Sequence, residues 1–315
     1  MSTEESVLHR SPETMGERKV QEEWEAGAFT GKRGRILYRR WLNHAAQGLF
    51  FVATLFGVMI LCILLYDIFS KGWTWIDMDF FSRYSSRLAE NAGIKAALWG
   101  SIWVIAVTAP LTFILGVATA IYLEEYAAQN RFTRFVQLNI SNLAGVPSIV
   151  FGILGLTLFV RGMGLDRSVL AGALTLTLLV LPIVIVASRE AIASVPDALR
   201  QASYAMGATR WQTVQKVVLP YSLPGIMTGT ILALSRAIGE TAPLIMIGAV
   251  TYLAFTPGNV MDPFTVLPIQ IYSWISEARG EFHELAAAGI IVLLVLLLSM
   301  NTLAIVLRNR FQRKS

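Results

Sequence analysis

Two charged residues stand in the stretch Leu223–Val250, LPGIMTGTILALSRAIGETAPLIMIGAV, which is otherwise apolar or small. They are Arg236 and Glu240. Each charge costs about 2.5–3.5 kcal/mol at a bilayer centre on insertion scales. An i,i+4 spacing puts both on one face of a helix, with Cβ atoms roughly 6 Å apart. Two readings are open. One is a self-neutralising pair that offsets part of the cost. The other is a pair lining a polar pathway, where Arg236 contacts an oxyanion and Glu240 neutralises it when no anion is present. Charges within spans generally face cavities and mark substrate routes. A guanidinium suits a phosphate-like anion because its planar fork gives paired hydrogen bonds. A hydrogen phosphate also carries a proton that a carboxylate can accept; sulfate at neutral pH has none. Ser235 and Thr241 offer hydroxyls beside the pair, and Gly239 removes bulk. Pro243 is expected to free the Gly239 carbonyl from its helical bond.

The elements that must hold these residues follow from composition. Of 315 residues, 55% are hydrophobic and 15% charged, with a mean hydropathy of +0.57. An ordinary soluble domain has about 25% charged residues. Stretches without Asp, Glu, Lys or Arg cover 49–66, 96–123, 135–160, 168–188, 223–235 and 285–307. All but 223–235 are long enough to cross a ~30 Å hydrocarbon layer as helix. That one is interrupted by the charge pair and resumes to residue 250. The expected class is an all-α polytopic membrane protein with six transmembrane helices.

Other classes lack their parts. Cys62 is the single cysteine and His9, His44 and His283 lie far apart, so neither a disulfide nor a metal cluster is expected. There is no G-x-x-x-x-G-K-[ST] loop for nucleotide. Residues 1–48 lack an apolar h-region, so no cleavable signal peptide is expected. Glu240 is the only carboxylate within the spans, which leaves intramembrane hydrolytic chemistry without its groups.

Lys and Arg counts set orientation. The tail 1–48, the loops 124–134 and 189–222 and the tail 308–315 together hold 18 of the 26 basic residues. The stretches 67–95, 161–167 and 251–284 hold 7, and Arg236 lies within a span. This predicts cytoplasmic termini, with basic tails that contact anionic lipid rather than nucleic acid. The domains read as a cytoplasmic segment 1–48, a transmembrane core 49–310 that includes the cytoplasmic loop 189–222, and a basic tail 311–315. Residues 1–30 are mixed-charge, either disordered or a short surface helix.

The first and last spans are almost wholly apolar and suit lipid contact. Pro110, Pro147, Pro182 and Pro243 fall in the middle ones, and Gly225 and Gly229 have the spacing that lets helices approach closely. Asn139, Ser141 and Asn142 are too polar for lipid, and Gly145 and Pro147 predict a bent start to the third span. Asn142, Pro147 and Ser148 are candidates for a pathway or gate.

The loop 189–222 reads REAIASVPDALRQASYAMGATRWQTVQKVVLPYS. Asp197 marks a helix start, Gly207 a helix stop, and a second helical run is expected to end at Pro220. Gly207, followed nine residues later by Val217-x-Leu219-Pro220, resembles the EAA loop of ABC-importer permeases. Gln201, Ala202 and Ser203 replace its Glu-Ala-Ala, and Val217 its Ile. LAGVPSIVFGILGL (143–156) and SRAIGETAPLI (235–245) resemble the A-type permeases of phosphate-specific ABC importers. The resemblance runs over about residues 49–310. It implies the type I ABC-importer (MetI-like) fold in a bacterial plasma (inner) membrane. It further implies a pore shared with a PstC-like permease, two copies of a PstB-like ATPase and a PstS-like phosphate-binding protein. ATP and Mg would be bound by the ATPase, with no cofactor in this chain. Ala205, Met206, Gly207 and Ala208, with Leu219 and Pro220, would couple to that ATPase. A permease for another oxyanion or small solute on the same fold is the alternative.

Overall fold

The computed structural model describes residues 33–250 and 252–312. Expectations for residues 1–30 and for most of the basic tail 311–315 lie outside the described residues. The chain divides into two compact units, Met1–Leu65 and Tyr66–Ser315. Among the described residues the only β pairing is a single bridge between Ser168 and Pro263.

Helix α1 (Arg33–Gly72) runs through residue 48 without a break, so the polar tail and the first span share one helix. From residue 49 to residue 65 it is apolar on all sides, the pattern of a lipid-exposed span.

In the second unit a short α2 (Met78–Ser82) is capped by Asp77, whose carboxylate accepts from Phe80 N at 2.7 Å. Helix α3 (Lys95–Ile121) ends in a π-helical turn, Tyr122–Tyr126. Helix α4 (Arg131–Leu143) is capped by Asn130. Helix α5 (Ser148–Gly155) continues as a π-helical turn to Gly162. The Ser168 side chain caps α6 (Val169–Ala193). Then come α7 (Asp197–Ala205), α8 (Arg210–Thr213), a π-helical turn Val214–Val218 and α9 (Leu219–Ile238). Helices α10 (Ala242–Ile247), α11 (Leu267–Ile275) and α12 (Gly280–Gln312) complete the chain.

Five helical stretches are long and apolar enough to cross a membrane, and six if the pair α4–α5 counts as one. That pair is bent by 103° between Leu143 and Ser148, the bent start expected at Gly145 and Pro147, so the apolar run 135–160 is not one straight helix. Pro147 disfavours helical backbone at Val146, and the chain turns through Gly145 N to Asn142 O and Val146 N to Leu143 O.

Two expectations are corrected. The run 223–250 is not one helix: α9 stops at Ile238. Continuing it would drive the Pro243 ring into the Gly239 carbonyl. Instead Pro243 sits in the first turn of α10, where its missing N–H is harmless. Pro220 likewise ends nothing. Helix runs from Arg210 to Ile238, and Pro220 lies in the first turn of α9, just after the π-helical turn.

Small residues set the packing. A Cβ on Gly116 would come within 2.7 Å of Val184 Cγ1, which brings α3 against α6. Gly225 and Gly229 press on Ala191 and Ala187, bringing α9 against α6, as their spacing predicts. Gly152 lies against Pro243, joining α5 to α10. The central core is built from Val104, Leu176, Val180, Ala233, Ile247 and Phe264. Buried Thr108, Thr175, Thr177, Ser222 and Thr230 return their hydroxyls to the carbonyl four residues back, so these donors need no water.

Gly229→Leu is expected to cost about 1–3 kcal/mol by overpacking. It should lower the thermal midpoint and monodisperse yield of the purified protein. Gly57→Leu, where an added Cβ meets nothing within 4 Å, should leave both unchanged.

Candidate functional site

Arg236 occupies the last turn of α9, where a cation is favoured by the helix dipole. Beyond the helix, Gly239 N bonds to Arg236 O and Glu240 N to Ala237 O, each at 3.2 Å. This turn carries Glu240 back over the helix end. Arg236 Nε donates to Glu240 Oε1 at 3.1 Å. The pair therefore forms, but across a break and not along a helical face. Arg236 is 45% exposed and Glu240 15%. Among the described residues, the two terminal nitrogens of Arg236 have no protein partner. Nε is held by the carboxylate, and the outer edge of the guanidinium faces away from it.

Thr241 stands beside Glu240, its hydroxyl directed to Gly239 O at 3.5 Å. Ser235 turns elsewhere: Oγ lies within hydrogen-bond distance of both Ile231 O and Asn301 Oδ1 on α12, which share its one proton. It belongs to the α9–α12 contact. A void of about 10 Å³, room for roughly one water, adjoins the helix next to the pair. Ser101, Val104, Ala237, Ile238 and Val266 are among its lining residues.

Asn142 ends α4, Pro147 caps α5 and Ser148 opens it. Asn142 and Pro147 are exposed and Ser148 is half-buried. The structure links this elbow to the pair through backbone, since Gly152 of α5 touches Pro243, three residues past Glu240.

Ala205, Met206, Gly207 and Ala208 form one tip. Gly207 has φ +81°, which lets the chain reverse between α7 and α8. Its N–H bonds to Tyr204 O at 2.9 Å, and Met206 is 89% exposed. Thr209 and Gln212 make a reciprocal capping box that starts α8. Leu219 and Pro220 are not at this tip. They lie at the root of α9, where Leu219 packs with the cluster of Val117, Ile192, Val195 and Ile226.

Sequence reasoning missed what fixes that tip to the bundle. Arg200 donates through Nε and Nη2 to Glu125 Oε1 at 3.1 and 3.0 Å, and through Nη2 to Ile192 O at 2.9 Å. Nη1 reaches Val195 O and Asp197 Oδ1. The side chains of Arg200 and Glu125 are 15% and 6% exposed. Arg189 Nη2 pairs with Glu124 at 3.3 Å. The signal lay in the adjacent carboxylates of Glu124 and Glu125, set at the end of an apolar run and aimed by the π-helical turn of α3.

A family model described as "binding-protein-dependent transport system inner membrane component" matches residues 113–314. The chain is 33% identical over 280 residues to the probable ABC transporter permease protein YqgI of Bacillus subtilis, spanning 84% of this chain and 95% of that one. It is 34% identical over 285 residues to the phosphate transport system permease protein PstA 1 of Mycobacterium tuberculosis, spanning 88% and 91%. Against PstA of Haemophilus influenzae the identity is 30% over 285 residues, spanning 90% and 99%. A bacterial alginate ABC transporter in complex with its alginate pentasaccharide-bound periplasmic protein shares the fold, with TM-score 0.62, 18% identity and coverage of 89% and 98%. An inward-facing MetNI methionine ABC transporter gives TM-score 0.55 at 22% identity, covering 69% and 94%.

Arg200→Gln leaves Glu125 buried without its cation, which is expected to cost about 3–5 kcal/mol. Limited proteolysis between residues 194 and 209 should accelerate. In a double-mutant cycle with Glu125→Gln the two losses should be far from additive.

Proposed function

The chain belongs to the family of binding-protein-dependent transport system inner membrane components, and we propose that it is the permease subunit of an ATP-driven inorganic phosphate importer. The observation that carries this reading is the geometry of Arg236. Its Nε is held by Glu240, while its terminal nitrogens remain unengaged at a helix break. A tetrahedral oxyanion can take that outer edge in a paired hydrogen bond. Glu240 then accepts the proton of a hydrogen phosphate, a role that sulfate cannot fill. The curated relatives named for phosphate transport support the same substrate.

In this reading the chain forms the pathway with a PstC-like permease and receives phosphate from a PstS-like binding protein. Both termini and the α7–α8 tip face the cytoplasm, following the basic residues. Met206 and its neighbours enter a cleft on a PstB-like ATPase, which binds the ATP and Mg. The chain itself supplies no nucleotide site and no catalytic group. ATP-driven closure pushes on α7. Arg200 passes that push to Glu125 at the end of α3, and the bundle rocks to move the break between the two sides. Asn142, Pro147 and Ser148 act at the elbow as a gate, since α5 rests on α10. A permease for another oxyanion keeps the same mechanics with a different reader at the break.

Uptake of radiolabelled phosphate in cells whose own importer is deleted tests this directly. Arg236→Gln should lower uptake roughly tenfold or more, the loss of one charge-assisted contact. Glu240→Gln should reduce phosphate uptake and narrow its preference over sulfate. Unchanged uptake and selectivity in both variants would remove the pair as the phosphate reader, and no phosphate uptake that depends on this chain would remove the phosphate reading.

Gly207→Asp should assemble normally but lose ATP-driven uptake, because it adds bulk and charge to the tip. Gly207→Asn, which tolerates positive φ without charge, should be milder. Equal uptake by wild type and Gly207→Asp, with the ATPase still bound, would exclude docking at this tip.

A further inference from the structure

A second cavity lies well away from Arg236. It has a volume of about 520 Å³ and is lined by Ser85, Ser86, Arg87, Tyr252, Gln270, Ser273, Trp274, Glu277 and Phe282. These residues come from the α2–α3 connection, from the segment before α11, from α11 and its end, and from the start of α12. Gly93 N to Tyr84 O and Lys95 N to Arg83 O tie the first of these to the beginning of α3. The cavity therefore sits at the end of α3 opposite to Glu125 and the α7–α8 tip. At 1.5 Å per residue, it lies about 15 Å along α3 from Val104 and Ile105, the residues packed beside Ala237 and Ile238.

The lining has the chemistry of an anion receiver. Gln270 lines the cavity although it is only 2% exposed. Ser85 Oγ donates to its Oε1 at 2.7 Å. That bond fixes the amide and leaves its NH₂ donors without a protein partner among the described residues. The amide nitrogen keeps access to the cavity, where a ligand or water can accept hydrogen bonds from it. Arg87 is exposed and has no ion-pair partner among the described residues. Ser86, Ser273 and Tyr252 add hydroxyl donors. Glu277 is the one carboxylate of the lining, and it can accept a proton from a partly protonated oxyanion.

We propose that this cavity is a second oxyanion site, a vestibule where a tetrahedral anion is held before it passes to Arg236. Its ligand class, a singly or doubly charged oxyanion with a P–OH or equivalent group, rests on the phosphate reading above. Arg87 and the Gln270 amide hold the anion, the hydroxyls complete its shell, and Glu277 accepts its proton. By the distribution of basic residues, 67–95 and 251–284 are the external stretches, so the vestibule opens towards the side from which solute arrives.

The test is binding of radiolabelled inorganic phosphate to the assembled importer in lipid nanodiscs, without ATP or binding protein. Saturable binding should fall roughly tenfold or more in Arg87→Gln, be kept in part by Arg87→Lys, and fall in Gln270→Leu. Arg236→Gln should keep the component that depends on Arg87. Arg87 is exposed, so its variants should melt as the wild type does and fold integrity is checked separately. Wild-type binding in both Arg87→Gln and Gln270→Leu, or no saturable binding at millimolar phosphate, overturns the vestibule. Slower uptake in Arg87→Gln with phosphate binding unchanged also overturns it, and indicates that the cavity seats a segment of the delivering protein. Arg87-dependent binding of another oxyanion but not of phosphate keeps the vestibule and removes the phosphate reading. Phosphate uptake that needs Arg236 but no Arg87-dependent binding does the reverse.

Discussion

An arginine in an apolar helix has to find a counter-charge or water, and in this chain both the position of Arg236 and the shape of its surroundings follow from that need. Had α9 continued past Ile238, Arg236 and Glu240 would share one face of one helix. Pro243 prevents it, because its ring excludes the Gly239 carbonyl from a helical position. The chain turns instead, and the carboxylate returns over the last turn of α9. Two favourable terms then act on one guanidinium: the Glu240 carboxylate and the negative end of the helix dipole. Only Nε is used up by the first of these. The break therefore does two things at once. It keeps the charge tolerable without a ligand, and it leaves the terminal nitrogens of the arginine without a protein partner among the described residues.

The break also needs a partner surface. Two short helices meeting at a turn expose more backbone than one long helix, and α10 is only Ala242–Ile247. It is held because α5 approaches closely at Gly152, where any side chain would strike Pro243. Helix α5 can reach that place because the chain bends by 103° before it. The elbow and the break are thus one arrangement. A straight third span would leave α10 uncovered, and a larger residue at 152 would push α5 away from it. Gly225 and Gly229 against Ala191 and Ala187 hold the rest of α9 to α6 on the same principle: small side chains let backbones meet where apolar surface alone gives no preference.

The apolar runs in the sequence were enough to read the membrane class, the all-helical fold and five of the spans, because the hydrocarbon layer imposes a length that few other structures need. Gly207 was legible as a reversal for a local reason, since a helix stop there requires positive φ. The misreadings share a cause. At Pro220 and at Pro243, a proline in an apolar run is compatible with a kink, a stop or a first turn, and tertiary contact chooses among them. Both sit in first turns, whereas Pro147, with Gly145 beside it, was legible as a bend and stands at the start of α5. The Arg200–Glu125 clamp was hidden differently. Counting basic residues for topology treats Arg200 as a surface charge, although its side chain is mostly buried and spent on a carboxylate and backbone carbonyls.

What remains is how the tip and the break are mechanically joined, and α3 supplies the link. Its far end carries Glu125, held by Arg200 of α7. Its near end carries Gly100, packed against the Thr265 backbone, and Ser101, whose hydroxyl accepts from Leu267 N at 2.8 Å at the start of α11. Between them the helix is continuous, with Pro110 as its one interior weak point. A push on α7 that reaches Glu125 must either bend α3 at Pro110 or carry Ser101 with it. If Ser101 moves, it takes the first turn of α11 and, one turn further, Gln270 in the wall of the vestibule. If α3 bends, the shift falls beside Val104 and Ile105, against Ala237 and Ile238 at the root of the ion pair. In either case one of the two groups proposed to face the anion is displaced by work done at the opposite end of the helix, with no need for a separate signal through the bundle.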